Sequence, residues 1–182
     1  MTKNKISIFI IAHSQEGACE IIRLISPMKY MEREGLIKTT YLFWGNGYKN
    51  EDLSYLEDEL RSSDIVVFQR SLSPEANLLF YEFLKKSNKI FVYETDDNLM
   101  ETPSFHPGFV HHVVNKGILK KIIPTVDIVT TTTSKLADYL KGLNNSVCVL
   151  PNLIDPELFL QNRGINKEED GKIVIGYVGS PT

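Results

Sequence analysis

Two adjacent carboxylates stand where a strand-forming run ends, in the segment VYETDDNLME (92–101). Asp96 and Asp97 follow the run directly, and Glu94 lies two positions earlier. Paired carboxylates at such a position can orient a substrate hydroxyl or bind a hard cation. They can equally cap the following turn while facing solvent. We predict that Asp97 and Asp96 are catalytic residues, and capping is the alternative that the sequence leaves open.

Arg70 closes an earlier strand-forming run, DIVVFQ (64–69). A guanidinium at a strand end can clamp a phosphate or a carboxylate through two parallel hydrogen bonds. An ion pair with Asp96 or Asp97 explains the same residue equally well. We predict that Arg70 lines a ligand cleft, with the ion pair as the alternative.

Three further candidates follow the first strand-forming run: His13, Ser14 and Gly17. Gly17 would let the backbone approach a ligand at the positive end of a helix, although a plain turn glycine is as good an interpretation. His13 could donate a hydrogen bond, but a structural histidine is the favoured interpretation because no partner is identifiable. We predict that all three residues lie at the cleft.

The elements that must position these residues alternate along the chain. Short β-branched and aromatic runs predict strands at 6–12, 37–43, 64–69, 89–94, 127–132 and 146–151. Stretches with helical periodicity predict helices at 18–33, 74–86, 109–123 and 135–143, with Ser73 and Ser134 as N-caps. This alternation is typical of an α/β fold with a Rossmann-like doubly wound parallel sheet, covered by helices on both faces. Such folds bind ligands beyond the carboxyl ends of their strands, where the candidate residues would converge.

Composition limits the classes of partner. The chain has 182 residues, of which 42% are hydrophobic, and a formal net charge of -3. This mildly acidic balance excludes the basic surface that follows a nucleic-acid backbone. Cys19 and Cys148 form no CxxC or metal-ligand spacing, and we expect both to be buried, reduced thiols in a cytoplasmic protein. His106, His111 and His112 are predicted to be surface or loop residues, and no metal is expected.

A boundary is predicted near residue 160. Pro151 ends the sixth strand, and a polar, charged stretch at 161–172 precedes a new apolar strand and the loop GSPT. We therefore predict an N-terminal domain at 1–160, a linker at 161–172, and the first strand and loop of a second, truncated domain at 173–182. Gly179 and Ser180 lie in that loop, whose amides would face a phosphate.

Several of these segments together resemble the retaining GT-B glycosyltransferases of family four. The resemblance is carried by RLISPMKYMEREG (23–35), DIVVFQR (64–70), VYETDDNL (92–99), VDIVTTTTSKLADYL (126–140), VLPNLID (149–155) with Phe159, and IVIGYVGSPT (173–182). It implies the N-terminal, acceptor-side half of a glycosyltransferase, inactive alone, that transfers a sugar from a nucleotide-diphosphate sugar without a metal or other cofactor. The implied partners are the nucleotide sugar, a glycan or lipid-linked acceptor from polysaccharide biosynthesis, and the C-terminal domain of the same protein.

The resemblance also implies a cytoplasmic location with peripheral association at the inner face of the membrane. The alternative class is a noncatalytic flavodoxin-like signalling or interaction module. A receiver domain of that class needs an acidic cluster after the first strand and an aspartate after the third, where this chain has His13 and Ser14, and Gln69 and Arg70.

Overall fold

A parallel six-stranded sheet forms the centre of the part that the structure, a computed structural model, describes: residues 5–46, 52–153 and 156. The strands are β1 (Ile6–Ala12), β2 (Ile37–Phe43), β3 (Ile65–Gln69), β4 (Ile90–Thr95), β5 (Ile128–Thr131) and β6 (Val147–Val149). Their spatial order is β2-β1-β3-β4-β5-β6, and every neighbouring pair is parallel. The predicted α/β fold with a doubly wound parallel sheet is confirmed, because chain order reverses direction in the sheet between β1 and β3.

Helices connect successive strands. After the first helix (18–33) come Asp52–Ser62, Pro74–Lys86, Phe109–Thr125 and Ser134–Leu140, and a short 3-10 turn at Trp44–Asn46 follows β2. The predicted helix at 74–86 has the observed bounds. The helix Asp52–Ser62 was not predicted, although Leu53, Leu56 and Leu60 recur in its sequence at helical spacing.

The two faces of the sheet carry separate hydrophobic clusters. The larger cluster packs Phe9, Phe68 and Phe91 against side chains from four helices, whereas the smaller packs Ile8, Ile10 and Val67 against the helix 18–33 alone. The predicted coverage of both faces is confirmed, although in the described residues four helices pack on one face and one helix on the other. The cause is the strand order. The connection from β1 to β2 runs along the sheet in the direction opposite to the other connections, and because such crossovers are right-handed, its helix alone lies on the second face.

Two aspartates fix the amino edge of the sheet. Oδ2 of Asp64 accepts from the backbone N–H of Ser7 at 2.8 Å, and Oδ2 of Asp127 accepts from Phe91 at 2.7 Å. Each aspartate immediately precedes a strand and satisfies an amide of the strand beside it. These contacts explain why 64 and 127, predicted as strand residues, instead lie just before β3 and β5.

The helix 18–33 changes its winding along its length. It is α-helical at Ala18–Glu20, π-helical at Ile21–Ile25 and α-helical again at Ser26–Arg33. Pro27 stands just after the wide turn, and its missing N–H is consistent with a local departure from α-helical bonding. The helix ends where Gly35 adopts a left-handed φ of 72°, with Leu36 N–H donating to Met31 O at 3.0 Å.

One of the two predicted N-caps is confirmed. Ser73 caps its helix as expected, and its Oγ accepts from Ala76 N–H at 3.2 Å. Ser134 does not act as a cap, because Thr133 takes that position and accepts from Leu136 N–H at 3.2 Å. Both hydroxyl residues suit an N-cap, and the backbone turn selects the earlier one.

The predicted linker at 161–172, the strand at 173–178, and Gly179 and Ser180 lie outside the described residues. The boundary at residue 160 therefore stays a prediction. Within the described part, no helix combines the length and apolar character needed to cross a membrane.

Candidate functional site

A row of polar side chains crosses the carboxyl edge of the sheet. Gln69 on β3 pairs in register with Glu94 on β4, which pairs with Thr130 on β5. Because residues opposite each other in parallel strands share a face, these three lie on the face packed by the helix 18–33. Their exposed fractions are 1%, 3% and 9%. The strand residues that precede this row are apolar. The buried polar row at the sheet edge is therefore the base of the candidate site.

Arg23 balances the charge of Glu94 from the helix above. Its Nε donates to Oε1 of Glu94 at 2.8 Å, and the two side chains are 4% and 3% exposed. Its Nη1 donates to the carbonyl of Leu150 and to Oδ1 of Asn152, the latter at 3.2 Å. Arg23 lies in the π-helical turn, so this change of winding occurs where the helix reaches the sheet edge. One guanidinium therefore joins the helix, β4 and the chain leaving β6.

Burial raises the pKa of Glu94, although Arg23 and the nearby amide of Gln69 both favour its charged form. The amide lies close enough to affect the carboxylate, yet no hydrogen bond of good geometry joins the two side chains.

Arg70 occupies the centre of the rim. It is the one non-glycine residue of the described chain with a left-handed φ, at 58°, a backbone conformation that costs about 1–3 kcal/mol and concentrates at functional sites. Its Nη2 lies 2.8 Å from Oδ2 of Asp97, and its Nη1 lies 3.4 Å from Oδ1 of Asp96. Of the two interpretations open from the sequence, the ion pair is the one observed.

Arg70 also closes the crevice at the point where strand order reverses. Its Nη1 contacts Sγ of Cys19 at 3.2 Å, which joins the end of β3 to the helix that follows β1. Burial and the neighbouring carboxylate of Asp96 raise the pKa of the Cys19 thiol to about 12. Cys19 is therefore a neutral thiol and not a nucleophile at physiological pH. The expectation that both cysteines are buried is wrong, because Cys19 is half-buried and Cys148 is exposed.

The turn after β4 is held by groups other than the two aspartate side chains. The hydroxyls of Thr95 and Thr132 donate to the backbone carbonyls of Asp97 and Asp96, at 2.8 and 3.4 Å. The side chain of Asn98 accepts from Met100 N–H at 3.3 Å. Both carboxylates are therefore directed to Arg70 instead of capping the turn.

Several buried polar atoms at this edge have no hydrogen-bond partner among the described residues. On the face packed by the helix 18–33 they are both amide atoms of Gln69 and Oε2 of Glu94, and beside them Oδ1 of Asp96 has only the 3.4 Å ion pair with Arg70. Oγ1 of Thr131 is also without a hydrogen-bond partner, but it lies on the opposite face. An unpaired buried polar group costs about 1–3 kcal/mol, so native proteins leave few of them. Gln69, Glu94 and Asp96, at the carboxyl ends of two neighbouring strands, therefore mark a place suited to another hydrogen-bonding group.

The segment after β1 flanks this rim. The Oγ of Ser14 accepts from Glu16 N–H at 3.1 Å, and His13 is exposed. A Cβ on Gly45 would lie 2.6 Å from the carbonyl oxygen of His13, so this close approach requires glycine at 45. The contact with Gly45 agrees with the structural interpretation of His13.

Gly17 is the N-cap of the helix 18–33, with an ordinary φ of -68°. A Cβ there would collide with Oε2 of Glu20, so the carboxylate of Glu20 lies over the helix start. A negative side chain at the positive end of a helix is favourable, and it repels a second anion from the same place. The predicted approach of a ligand to the backbone at Gly17 is therefore unfavourable for an anion, because the carboxylate of Glu20 already occupies that helix end.

The three histidines predicted as surface or loop residues lie close to the rim. His112 is partly buried, with ring centroids 5.9 Å from His106 and 5.4 Å from His111. Burial and the two neighbouring imidazoles lower the pKa of His112 and favour its neutral form. Within the described chain, no three His, Cys, Asp or Glu side chains are arranged to hold a metal ion.

The structure brings three of the predicted site residues together. Arg70, Asp96 and Asp97 meet at one point, whereas His13, Ser14 and Gly17 lie beside it, and Gly179 and Ser180 lie outside the described residues. The sequence interpretation missed Arg23 and Gln69 as site residues. A signal for Arg23 was available, because it is a cation among the apolar residues Ile22, Leu24 and Ile25 of an amphipathic helix.

Comparison with known proteins gives no family assignment. No family model matches the chain, and no curated protein does. Among solved structures, a pyridoxal kinase of Entamoeba histolytica is 18% identical with a TM-score of 0.44, and the match covers 78% of this chain and 55% of the kinase. The structure of that organism's pyridoxal kinase with PLP is 16% identical with a TM-score of 0.46, covering 78% and 56%. The chain thus spans about half the length of these kinases, and a likeness at this level carries no argument about activity.

The predicted membership of the family-four GT-B glycosyltransferases is not borne out, because no family model matches the chain and no curated protein of that family does. The predicted glycosyl transfer, role in polysaccharide biosynthesis, nucleotide-sugar donor, glycan or lipid-linked acceptor and peripheral membrane association are withdrawn with it. The alternative of a flavodoxin-like signalling or interaction module is likewise without a matching family model. The resembling segments are mainly strand ends and helix starts, which unrelated α/β proteins share because the same fold hosts many functions.

Proposed function

We propose that this α/β domain binds a small polar molecule with a cationic amine at the carboxyl edge of β3, β4 and β5. The observation that carries the proposal is the group of three side chains whose buried polar atoms lack a hydrogen-bond partner among the described residues: Gln69, Glu94 and Asp96. Open α/β sheets bind ligands beyond the carboxyl ends of their strands, close to the point where strand order reverses. The unpaired atoms lie at that edge, and Arg70 spans the reversal itself.

The charges of the site favour a cation over an anion. The carboxylates of Glu94, Asp96 and Asp97 face two guanidinium groups, those of Arg23 and Arg70, which leaves one negative charge in excess. The carboxylate of Glu20 at the adjoining helix start adds to this excess. An amine can donate up to three hydrogen bonds and suits the unpaired oxygens of these carboxylates.

Asp97 is the accessible carboxylate of the site. Its side chain is 59% exposed, whereas that of Asp96 is 13% exposed. Arg70 holds both carboxylates in place before any ligand arrives, and this reduces the ordering that binding requires. Asp96 and Asp97 thus remain site residues in this proposal, as ligand-binding groups, with His13, Ser14 and Gly17 alongside. The proposal includes a cytoplasmic location, since both cysteines are free thiols.

The test uses three four-carbon probes that differ only in their end groups: diaminobutane, butanediol and succinate. Isothermal titration of the full chain should show saturable binding of diaminobutane, weaker binding of butanediol and none of succinate. Asp97→Asn should weaken diaminobutane at least about tenfold, which corresponds to about 1.4 kcal/mol.

The control is Asp138→Asn, which removes an exposed carboxylate on the helix Ser134–Leu140 that pairs only with Lys141 among the described residues. This variant should bind diaminobutane like the unaltered chain. Preference for succinate, or equal effects of the two substitutions, would show that a cation-binding site at Asp97 does not exist.

A further inference from the structure

A second concave site lies at the opposite edge of the sheet. A cavity of about 580 Å³ opens between the helices Asp52–Ser62 and Pro74–Lys86, where both end, and Lys89 borders it just before β4 begins. Small-molecule sites have volumes of about 300–1,000 Å³. The cavity shares no lining residue with the candidate site at the carboxyl edge.

The floor of this cavity is apolar and continues into the core. Leu60, Leu79 and Phe83 line it, and the same three residues border a small gap of about 10 Å³ directly behind. Trp44 lies on the far side of that gap. Protein interiors are close-packed, so a gap that continues an open cavity offers room for the end of an apolar group.

The rim of the cavity is cationic. It carries Arg61, Lys86 and Lys89 against the carboxylates of Glu57 and Glu82. Arg61 lies 3.9 Å from Glu57 and Lys86 lies 3.9 Å from Glu82, so these four charges are paired.

Lys89 supplies the remaining positive charge. Its Nζ donates to the carbonyl of Arg61 at 2.7 Å, and no carboxylate of the described residues pairs with it. That contact offsets the negative end of the helix Asp52–Ser62, and the ammonium keeps two further N–H groups to donate.

We propose that this cavity binds an amphipathic monoanion, with an apolar or aromatic body on Leu60, Leu79 and Phe83 and one carboxylate or sulfonate group at Lys89. The apolar floor favours a ligand with an apolar body, because their contact removes apolar surface from water and stabilises the complex by about 25 cal/mol per Å². Among the described rim residues, Lys89 is the ammonium without a carboxylate partner, and it sets the charge of the head group. A neutral or cationic head group at that place would leave Lys89 without a partner of opposite charge.

The probe is anilinonaphthalene sulfonate, an aromatic body with one sulfonate, added to the full chain under native conditions. We expect saturable binding of one equivalent and quenching of the emission of Trp44, which is the one tryptophan in the sequence and lies behind the cavity floor. Octanoate should displace the probe, whereas octylamine, with the same apolar chain and the opposite charge, should not. Equal displacement by the two, or binding without a change in Trp44 emission, would overturn the proposal.

Lys89→Gln should weaken binding of the probe at least about fivefold. The matched control is Lys85→Gln, because Lys85 lies on the helix Pro74–Lys86, does not line the cavity and pairs with Glu82 at 3.4 Å. Near-ultraviolet circular dichroism establishes that both variants remain folded, since the probe also binds molten states. The assigned role of Lys89 would be refuted if the folded Lys89→Gln variant bound the probe with unchanged affinity, or if both variants were weakened equally. The comparison of octanoate with octylamine tests the cavity without any substitution.

Discussion

At the scale of single residues, the two thiols of the chain have opposite surroundings. Cys148 is exposed on β6, whereas Cys19 is half-buried between Arg70 and Asp96. The sequence placed both in apolar stretches and so predicted the same environment for each. Only the fold decides that β6 presents its thiol to solvent and that the first helix presents its thiol to a carboxylate.

This difference predicts unequal reactivity with Ellman's reagent at pH 8. A rise in the Cys19 pKa from 9.0 to about 12 lowers its thiolate fraction about a thousandfold. Higher intrinsic nucleophilicity recovers part of this loss, so Cys19 should react at least about thirtyfold more slowly than Cys148. Cys148→Ser should remove the fast phase and Cys19→Ser the slow one. Equally fast reaction of Cys19 in the Cys148→Ser variant would contradict the assigned environment.

The buried pair Arg23–Glu94 gives a second prediction at this scale. Arg23→Met leaves the carboxylate of Glu94 buried without its guanidinium, so the free energy of unfolding should fall by about 3–5 kcal/mol. Arg23→Met combined with Glu94→Gln removes both charges and should recover most of that loss. Urea denaturation at pH 7 measures both effects. A double variant no more stable than Arg23→Met alone would show that the pair is not coupled.

At the scale of elements, five of the six predicted strands and all four predicted helices overlap their observed counterparts over most of their length, and β6 shortens to Val147–Val149. Period and end signals are local properties of the sequence, which is why they suffice for these elements. Two failures remain: the helix Asp52–Ser62 was not predicted although its leucines recur at helical spacing, and some bounds were misplaced because contacts with neighbouring strands set them. Asp64 and Asp127 illustrate the second failure, because each leaves its strand to bind an amide on the adjacent one.

The cap of the helix Ser134–Leu140 provides a matched pair of substitutions. Thr133→Ala removes the hydroxyl that accepts from Leu136 N–H, so it should lower the free energy of unfolding by about 1 kcal/mol. Ser134→Ala removes a hydroxyl at the first helical position and should change it by less than about 0.5 kcal/mol. Thermal or urea denaturation of both variants compares them directly. A larger loss of stability in Ser134→Ala would show instead that Ser134, the residue predicted from the sequence, is the cap.

At the scale of the whole molecule, all six described strands and both hydrophobic clusters lie between residues 6 and 149. A chain ended at residue 160 should therefore unfold cooperatively, with the same urea midpoint as the full chain. Denaturation followed by circular dichroism tests the predicted domain boundary. Loss of a cooperative transition would show that residues after 160 complete this domain.

The sequence by itself determined the fold class, because alternating strand and helix periods with few breaks leave a parallel sheet as the consistent arrangement. It also determined that Arg70, Asp96 and Asp97 share one edge, since parallel strands all end on the same side. Tertiary structure alone decided what these residues do there. The ion pairs of Arg70, the burial of Glu94 under Arg23, and the unpaired atoms of Gln69 and Thr131 depend on distances between segments that are far apart in the chain. Local patterns carry no information about such distances, and the motifs that resembled a glycosyltransferase were local patterns of this kind.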